Sequence, residues 1–87
     1  MIEPLETARK RLAMRSMRRG IKEMDLILTA FADAHLEDMD AEAIAAYDRL
    51  LSENDQDLYT WVTGQVAAPS EHAALVKQIA GHFGAST

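Results

Sequence analysis

The segment Arg18–Glu23 marks the point at which a basic part of the chain gives way to an acidic one. Seven of the nine lysines and arginines lie between Arg9 and Lys22, and ten of the fourteen acidic residues lie between Asp25 and Asp57. Such an uneven distribution favours contact with a partner of complementary charge, or self-association, over general binding to nucleic acid. The chemistry available at this junction is therefore recognition through charged side chains.

Gly20 lies between two helical patterns, and two structural roles are possible for it. It could end the first helix in a left-handed conformation or be the N-cap of the second, because glycine has no Cβ penalty in either role. With Gly20 as N-cap, Glu23 falls at the third helical position, where its carboxylate could reach back to the Gly20 amide. Arg19 would then lie at the negative end of the first helix. Helix capping alone could explain these charges, and it stays open beside a binding role.

The sequence predicts neither a catalytic residue nor a metal site. The chain has no cysteine, which excludes a disulfide framework, a thiolate metal site and a cysteine nucleophile. No Ser/His/Asp arrangement can be assembled from its motifs, and His72 and His82 are ten residues apart, without a supporting set of ligands. The acidic stretch Glu53–Asp57 lacks the glycine and distal glutamate of an EF-hand loop, so helix capping explains it better than calcium binding.

The apolar pattern predicts an all-α protein, a compact bundle of four to five short helices in one domain over residues 1–87. The sequence contains no β-hairpin signal, glycine-rich phosphate loop or internal repeat. The predicted helices are Leu5–Met17, Ile21–Leu36, Ala41–Ser52, a short one that includes Leu58–Val62, and a C-terminal one over about residues 70–83. The second has the strongest apolar pattern and is expected to be the central core helix.

Turn and cap residues bound these helices. Asp40 is the predicted N-cap of the third helix, Asn54 or Asp55 that of the fourth, and Ser70 that of the last. Gly64 is expected to end the fourth helix.

Four side chains within the helices have specific expected positions. Trp61 should make the largest single apolar contribution to the core, and Tyr47 should be a core residue with its hydroxyl at the edge. His35 is expected to cap or pack at the end of the central helix. Asp25 is expected on the flank of that helix, facing water, in preference to burial beside a basic partner.

The first residues and the length of the apolar runs indicate in which compartment the protein is expected. Residues 1–6 have neither the basic region nor the apolar core of a secretory signal. The longest apolar run falls far short of the ~20 residues that cross a bilayer. We therefore expect a cytoplasmic protein without membrane insertion, monomeric when free.

Two stretches of the chain resemble the succinate dehydrogenase assembly factor family. The first runs from Arg19 to Leu26 (RGIKEMDL), and the second runs from Asp55 to Trp61 (DQDLYTW). They occur in family order and at a family-like separation, and the resemblance covers about residues 9–64. One departure is visible, because Gln56 stands where the family usually has a proline. That departure affects the start of a helix more than the expected partner surface.

The resemblance implies an assembly factor, not an enzyme. Such a protein would bind the flavoprotein subunit of succinate dehydrogenase, with fumarate reductase as a further candidate, and promote covalent attachment of FAD. Arg19, Gly20 and Glu23 would be the partner-contacting motif, with Arg18 and Asp25 beside it. In that motif the arginine would supply a forked donor, the glycine a close backbone approach and the glutamate an acceptor.

The same resemblance implies how the cofactor is divided between the two proteins. The FAD belongs to the partner and becomes attached to a histidine of the partner, so no cofactor is expected in this chain. The domain would hold the flavoprotein in a geometry that favours the partner's own covalent chemistry.

A second hypothesis is a small helical nucleic-acid-binding or regulatory protein that uses the basic N-terminal segment. Four basic residues would line one side of a helix that continued through Gly20. They are Arg11, Arg15, Arg18 and Lys22. The net charge of −5 and the acidic middle of the chain oppose this reading, so no nucleic-acid partner is expected.

Overall fold

Helices account for all the regular secondary structure of the described chain. The computed structural model describes residues 3–85, with side-chain burial through Phe83. Its elements are α1 (Leu5–Ser16), α2 (Lys22–His35), a 3-10 turn (Leu36–Asp38), α3 (Ala41–Leu51), α4 (Asp55–Val62) and α5 (Ala73–Ala85). The radius of gyration is 12.2 Å, close to the ~12 Å of a compact chain of this length. The predicted all-α bundle is confirmed.

The helix α2 is the centre of the bundle, as its apolar pattern predicts. It buries one stripe of side chains, and α1, α4 and α5 all pack against it. The buried residues of α2 are Met24, Ile27, Leu28, Phe31 and Ala32. His35 packs at its end, with its ring centroid 4.7 Å from that of Phe31. No helix within residues 3–85 is long and apolar enough to cross a membrane.

Local capping chemistry fixes most of the helix ends. The Asp40 side chain accepts a hydrogen bond from the Ala43 amide, and Asn54 accepts one from the Gln56 amide, each at 2.8 Å. Gly64 follows α4 with φ 81° in the left-handed region. These three predictions are confirmed, with Asn54 and not Asp55 as the cap of α4.

The start of α5 differs from the prediction. Ser70 lies in a turn before the helix, in which the His72 amide donates to the Pro69 carbonyl at 2.9 Å. The first helical hydrogen bond runs from the Val76 amide to the His72 carbonyl. The prediction of Ser70 as the cap was therefore wrong, because the turn after Pro69 delays the helix. The docking of α5 is firm, since Val76 and Ile79 are buried in the core.

The largest fully buried side chains are those of Tyr47 and Phe31, and Trp61 is only half-buried. The helix α4 points Leu58 and Val62 into the core. Trp61 lies to one side of the line between those two positions, so it packs at the edge of the core. Two predictions were therefore wrong: Trp61 is not the main core residue, and the hydroxyl of Tyr47 lies inside the core.

That hydroxyl makes a buried hydrogen bond at the end of α1. Ser16 Oγ donates to the Leu12 carbonyl at 2.8 Å and lies 2.6 Å from the hydroxyl oxygen of Tyr47, so Tyr47 is the donor in the second contact. Burial raises the pKa of Tyr47 to about 12. The last turn of α1, which leads into the loop carrying Arg18 and Arg19, is therefore joined to α3 inside the core.

Charged side chains join α1 to α3 on the outside of the same contact. Arg11 donates to both carboxylate oxygens of Asp48, at 3.0 and 2.8 Å, and Arg15 donates to the same carboxylate. The hydrogen bonds from Arg11 are the main reason that the pKa of Asp48 lies below its usual value. Arg11 also pairs with Glu3 at 2.9 Å. Asp48 and Glu3 together therefore compensate two of the four residues proposed to line a basic helix face.

Raising the pH should weaken the fold between about 10 and about 12, because the unfolded chain loses the Tyr47 proton first. The free energy of unfolding should fall by up to ~2–3 kcal/mol across that interval. Urea unfolding at several alkaline pH values measures this. Tyr47→Phe should lose this part of the pH dependence and Tyr59→Phe should keep it. The same alkaline slope in wild type and Tyr47→Phe would contradict the assignment.

Candidate partner-binding site

Residues 17–21 form the loop between α1 and α2 that carries the charge junction. The N-cap of α2 is Ile21, in an extended conformation and without a side-chain hydrogen bond, so Glu23 is at the second helical position. The residue with a positive φ in this loop is Arg18, at 59°. Both capping interpretations of Gly20 were therefore wrong. The Gly20 amide instead donates to the carboxylate of a distant residue, Asp55.

The Asp55 carboxylate connects this loop to the first turn of α4. Arg19 Nε lies 2.7 Å and Nη2 2.6 Å from Asp55 Oδ1, while the Gly20 amide donates to Oδ2 at 2.6 Å. The side chains of Arg19 and Asp55 are only 12% and 16% exposed. We call this set of contacts the Arg19–Asp55 clamp. Charge-assisted hydrogen bonds that are largely shielded from water are the strong class of polar contact in proteins.

The Arg19 guanidinium also donates to two backbone carbonyls of the chain. Nη1 donates to the Arg15 carbonyl at 3.0 Å, and Nη2 donates to the Leu51 carbonyl at 3.2 Å. These two carbonyls belong to the last turns of α1 and α3. One guanidinium therefore joins the ends of two helices to the beginning of α4.

The Asp55 carboxylate approaches the backbone closely at Gly20. A Cβ at this position would lie 3.3 Å from Asp55 Oδ2, closer than about nine in ten real Cβ contacts. A side chain here would push the carboxylate away from the amide by a few tenths of an ångström. The close backbone approach predicted for Gly20 is thus made by a residue of the same chain.

The other predicted site residues are differently placed. Arg18 and Glu23 are exposed, and neither side chain has a hydrogen bond or ion pair within residues 3–85. Asp25 is half-buried on the flank of α2 and accepts a hydrogen bond from Thr29 Oγ1 at 3.2 Å. The flank position predicted for Asp25 is confirmed. The loop and the first turn of α2 therefore present a free cation and a free carboxylate beside a clamped arginine.

Sequence reasoning missed Asp55 as the partner of Arg19. The two residues are 36 positions apart, and local patterns assigned Asp55 to helix capping or to the second motif. The available signal was that each motif contains one half of the clamp. Motifs that lie far apart in a sequence and share a fold are candidates for direct contact.

The model of a protein family described as "flavinator of succinate dehydrogenase" matches residues 10–83. The chain belongs to the succinate dehydrogenase assembly factor family. The match extends beyond Gly64 and includes nearly all of α5, so the resemblance is longer than the two motifs alone suggested. The family is one of assembly factors, not of enzymes.

Named relatives in animals and fungi are similar to this assembly factor chain. It is 46% identical over 79 residues to succinate dehydrogenase assembly factor 2-B, mitochondrial, of Drosophila mojavensis, covering 88% of this chain and 50% of that protein. It is 49% identical over 61 residues to succinate dehydrogenase assembly factor 2, mitochondrial, of Aspergillus flavus, covering 70% and 21% of the two chains. The chain thus spans about half, or less, of the length of these relatives.

The residue that departs from the family pattern has a local role. The Gln56 amide donates to the Asn54 side chain and so completes the N-cap of α4. A proline would have no amide proton to donate there, although it suits the first turn of a helix. With glutamine at position 56, α4 begins with a capping hydrogen bond to Asn54 instead of with a proline in its first turn. Asp55 is free to make the clamp in either case.

Histidine and carboxylate groups come together away from the loop. His72 is buried, with Nε2 2.8 Å from Glu53 Oε2 and 3.4 Å from Glu71 Oε1. The three side chains place ligand-type atoms within 4.8 Å of one another. Glu71 is the sequence neighbour of His72, and Glu53 reaches it from the connection between α3 and α4. A hydrogen-bonded His–Glu pair between that connection and the start of α5 accounts for the geometry. The expectation of no metal site stays a prediction.

A double-mutant cycle with Arg19→Ala and Asp55→Ala should give a coupling free energy of ~1.5–3 kcal/mol, because both charges are largely shielded from water. Urea unfolding of the wild type, the two single variants and the double variant measures it. The Lys10–Glu6 pair, 3.8 Å apart and almost fully exposed, is the matched control and should show coupling near zero. Equal coupling in the two pairs would contradict the clamp.

Proposed function

We propose that this chain binds the flavoprotein subunit of succinate dehydrogenase and promotes the covalent attachment of FAD to it. The family description and the names of the relatives point to succinate dehydrogenase and to its flavin. The observation that carries the proposal is that Arg18, in the loop between α1 and α2, and Glu23, in the first turn of α2, are both exposed and unpaired within residues 3–85. A free cation in the loop and a free carboxylate at the start of the next helix are suited to contact a charged partner surface.

The proposal divides the motif into contact residues and positioning residues. Glu23 would accept a hydrogen bond from a partner cation or amide, and Arg18 would donate to a partner carboxylate or carbonyl. Arg19 and Gly20 would act through Asp55, by holding the loop in the conformation that presents the other two. Direct contact of Arg19, Gly20 or Asp25 with the partner stays a prediction.

The mechanism that these residues support is positioning. A preordered loop loses less conformational entropy on binding than a flexible one, so more of the contact energy remains to hold the partner. Held in this way, the flavoprotein would keep its histidine and its FAD in a reactive geometry, and the bond would form between partner groups. This chain would supply no reacting atom and no cofactor.

The preferred flavoprotein and the compartment are further parts of the proposal. Fumarate reductase stays a candidate partner. The relatives are named mitochondrial, and the cytoplasmic location expected from the sequence stays a prediction. The assembly factor must work in whichever compartment contains its flavoprotein.

The arrangement of charges gives little support to nucleic-acid binding. Arg11 and Arg15 both face Asp48, and Arg11 also pairs with Glu3, so two carboxylates already compensate their two charges. Arg18 lies in a left-handed turn, which ends any continuous helix face toward Lys22. A phosphate backbone would therefore meet two separated cations and no stripe.

Glu23→Gln should slow covalent flavin attachment by roughly tenfold or more, since the loss of one charged hydrogen bond costs ~1.5–3 kcal/mol. Fluorescence of the denatured flavoprotein subunit in a gel, followed over time with and without this protein, measures the rate. Arg18→Gly should also slow attachment. At φ 59° glycine fits without strain, so the free energy of unfolding should change by no more than about 1 kcal/mol.

Glu37→Gln is the control for loss of one exposed negative charge and should support flavin attachment as well as the wild type. An attachment rate that is the same with and without the wild-type protein would refute the proposed function. Equal rates with Glu23→Gln and Glu37→Gln would instead remove Glu23 from the contact.

A further inference from the structure

Leu26 has the most exposed large apolar side chain among the described residues, at 64%. It belongs to α2, next to the stripe that fills the core. A single exposed leucine is ordinary. Here, however, Phe83 of α5 is also exposed, and the two residues line the same shallow groove. Two large apolar side chains from different helices thus meet at the surface.

The groove has a definite floor and a small volume. Ile27 and Ala30 of α2 and His82 of α5 complete its lining, and its volume is about 140 Å³. That is well below the ~300 Å³ at which small-molecule pockets begin. It suits one inserted side chain better than a nucleotide or another cofactor.

Ring contacts lie where the end of α5 packs against α2. The ring of His82 lies 6.2 Å from that of Phe31 and 5.2 Å from that of His35, measured between centroids. Phe83 follows His82 directly in α5 and lines the groove beside these contacts. The groove therefore belongs to the α2–α5 contact.

The groove continues directly from the carboxylate of the proposed contact site. Glu23, Leu26 and Ala30 follow one another at spacings of three and four, which places them on one side of α2. Asp33 follows at a further three positions, and all four residues are exposed. The side chains of Glu23 and Asp33 have no ion pair or hydrogen bond within residues 3–85. An apolar groove thus lies between two unpaired carboxylates.

We propose that this groove receives an apolar side chain of the same flavoprotein subunit, flanked on the partner by basic groups that meet Glu23 and Asp33. The inference rests on the proposed function and extends its contact from the loop along α2 to Phe83. Continuity with Glu23 and the two flanking negative charges identify the occupant. Apolar burial in the groove would supply affinity, while the charges would fix the orientation of the partner.

The test is the affinity of Leu26→Gln for the isolated flavoprotein subunit, measured by isothermal titration calorimetry. Glutamine is a good helix former, so the exposed position should tolerate it. Val66→Gln is the control, because Val66 is also exposed, at 53%, and follows α4 at the end opposite Asp55. We expect about a tenfold loss of affinity for Leu26→Gln and no loss for Val66→Gln.

Three other results would each refute a different statement. Failure of the wild type to bind the flavoprotein subunit would refute the proposed function itself. Binding that is weakened by Glu23→Gln but equal for Leu26→Gln and Val66→Gln would keep that function and refute the groove. If light scattering shows that Leu26→Gln abolishes self-association while affinity for the flavoprotein is unchanged, the groove belongs to a second copy of this chain.

Discussion

The interaction on which the rest of the site depends is the Asp55 carboxylate, which accepts from the Arg19 guanidinium and from the Gly20 amide. The loop between α1 and α2 has no cap of its own at the start of α2. Its conformation is therefore set by a residue from α4. The motif arginine and glycine make their contacts within the fold. The role proposed for them in recognition is to hold this loop.

Two sets of polar contacts between α1 and α3 support this clamp. Inside the core, Tyr47 and Ser16 hydrogen-bond at the last turn of α1, and outside it Arg11 and Arg15 share Asp48. The basic segment thus uses much of its charge within the fold. What remains for a partner is concentrated at Arg18 and at the exposed face of α2 that begins at Glu23.

The sequence predicted the features that local physical chemistry determines. The apolar period of α2 identified the core helix, and the residue types at Asp40, at Asn54 or Asp55, and at Gly64 predicted helix ends that the structure has. The features that it missed depend on contacts between distant residues. No local rule pairs Arg19 with Asp55 or places the backbone of Arg18 in the left-handed region. Tyr47 is buried more completely than Trp61 because of how α3 and α4 are oriented, which the sequence does not show.

The central claim is that Glu23 lies at the surface that contacts the flavoprotein while the clamp holds it there. The most direct measurement is photo-crosslinking from a diazirine-containing amino acid at position 23, with the purified flavoprotein subunit and mass spectrometric mapping of the product. The same group at position 42, exposed on α3, is the control. The account predicts a crosslink to the flavoprotein from position 23 that Asp55→Ala weakens. Equal crosslinking from both positions, or none from position 23, would contradict it.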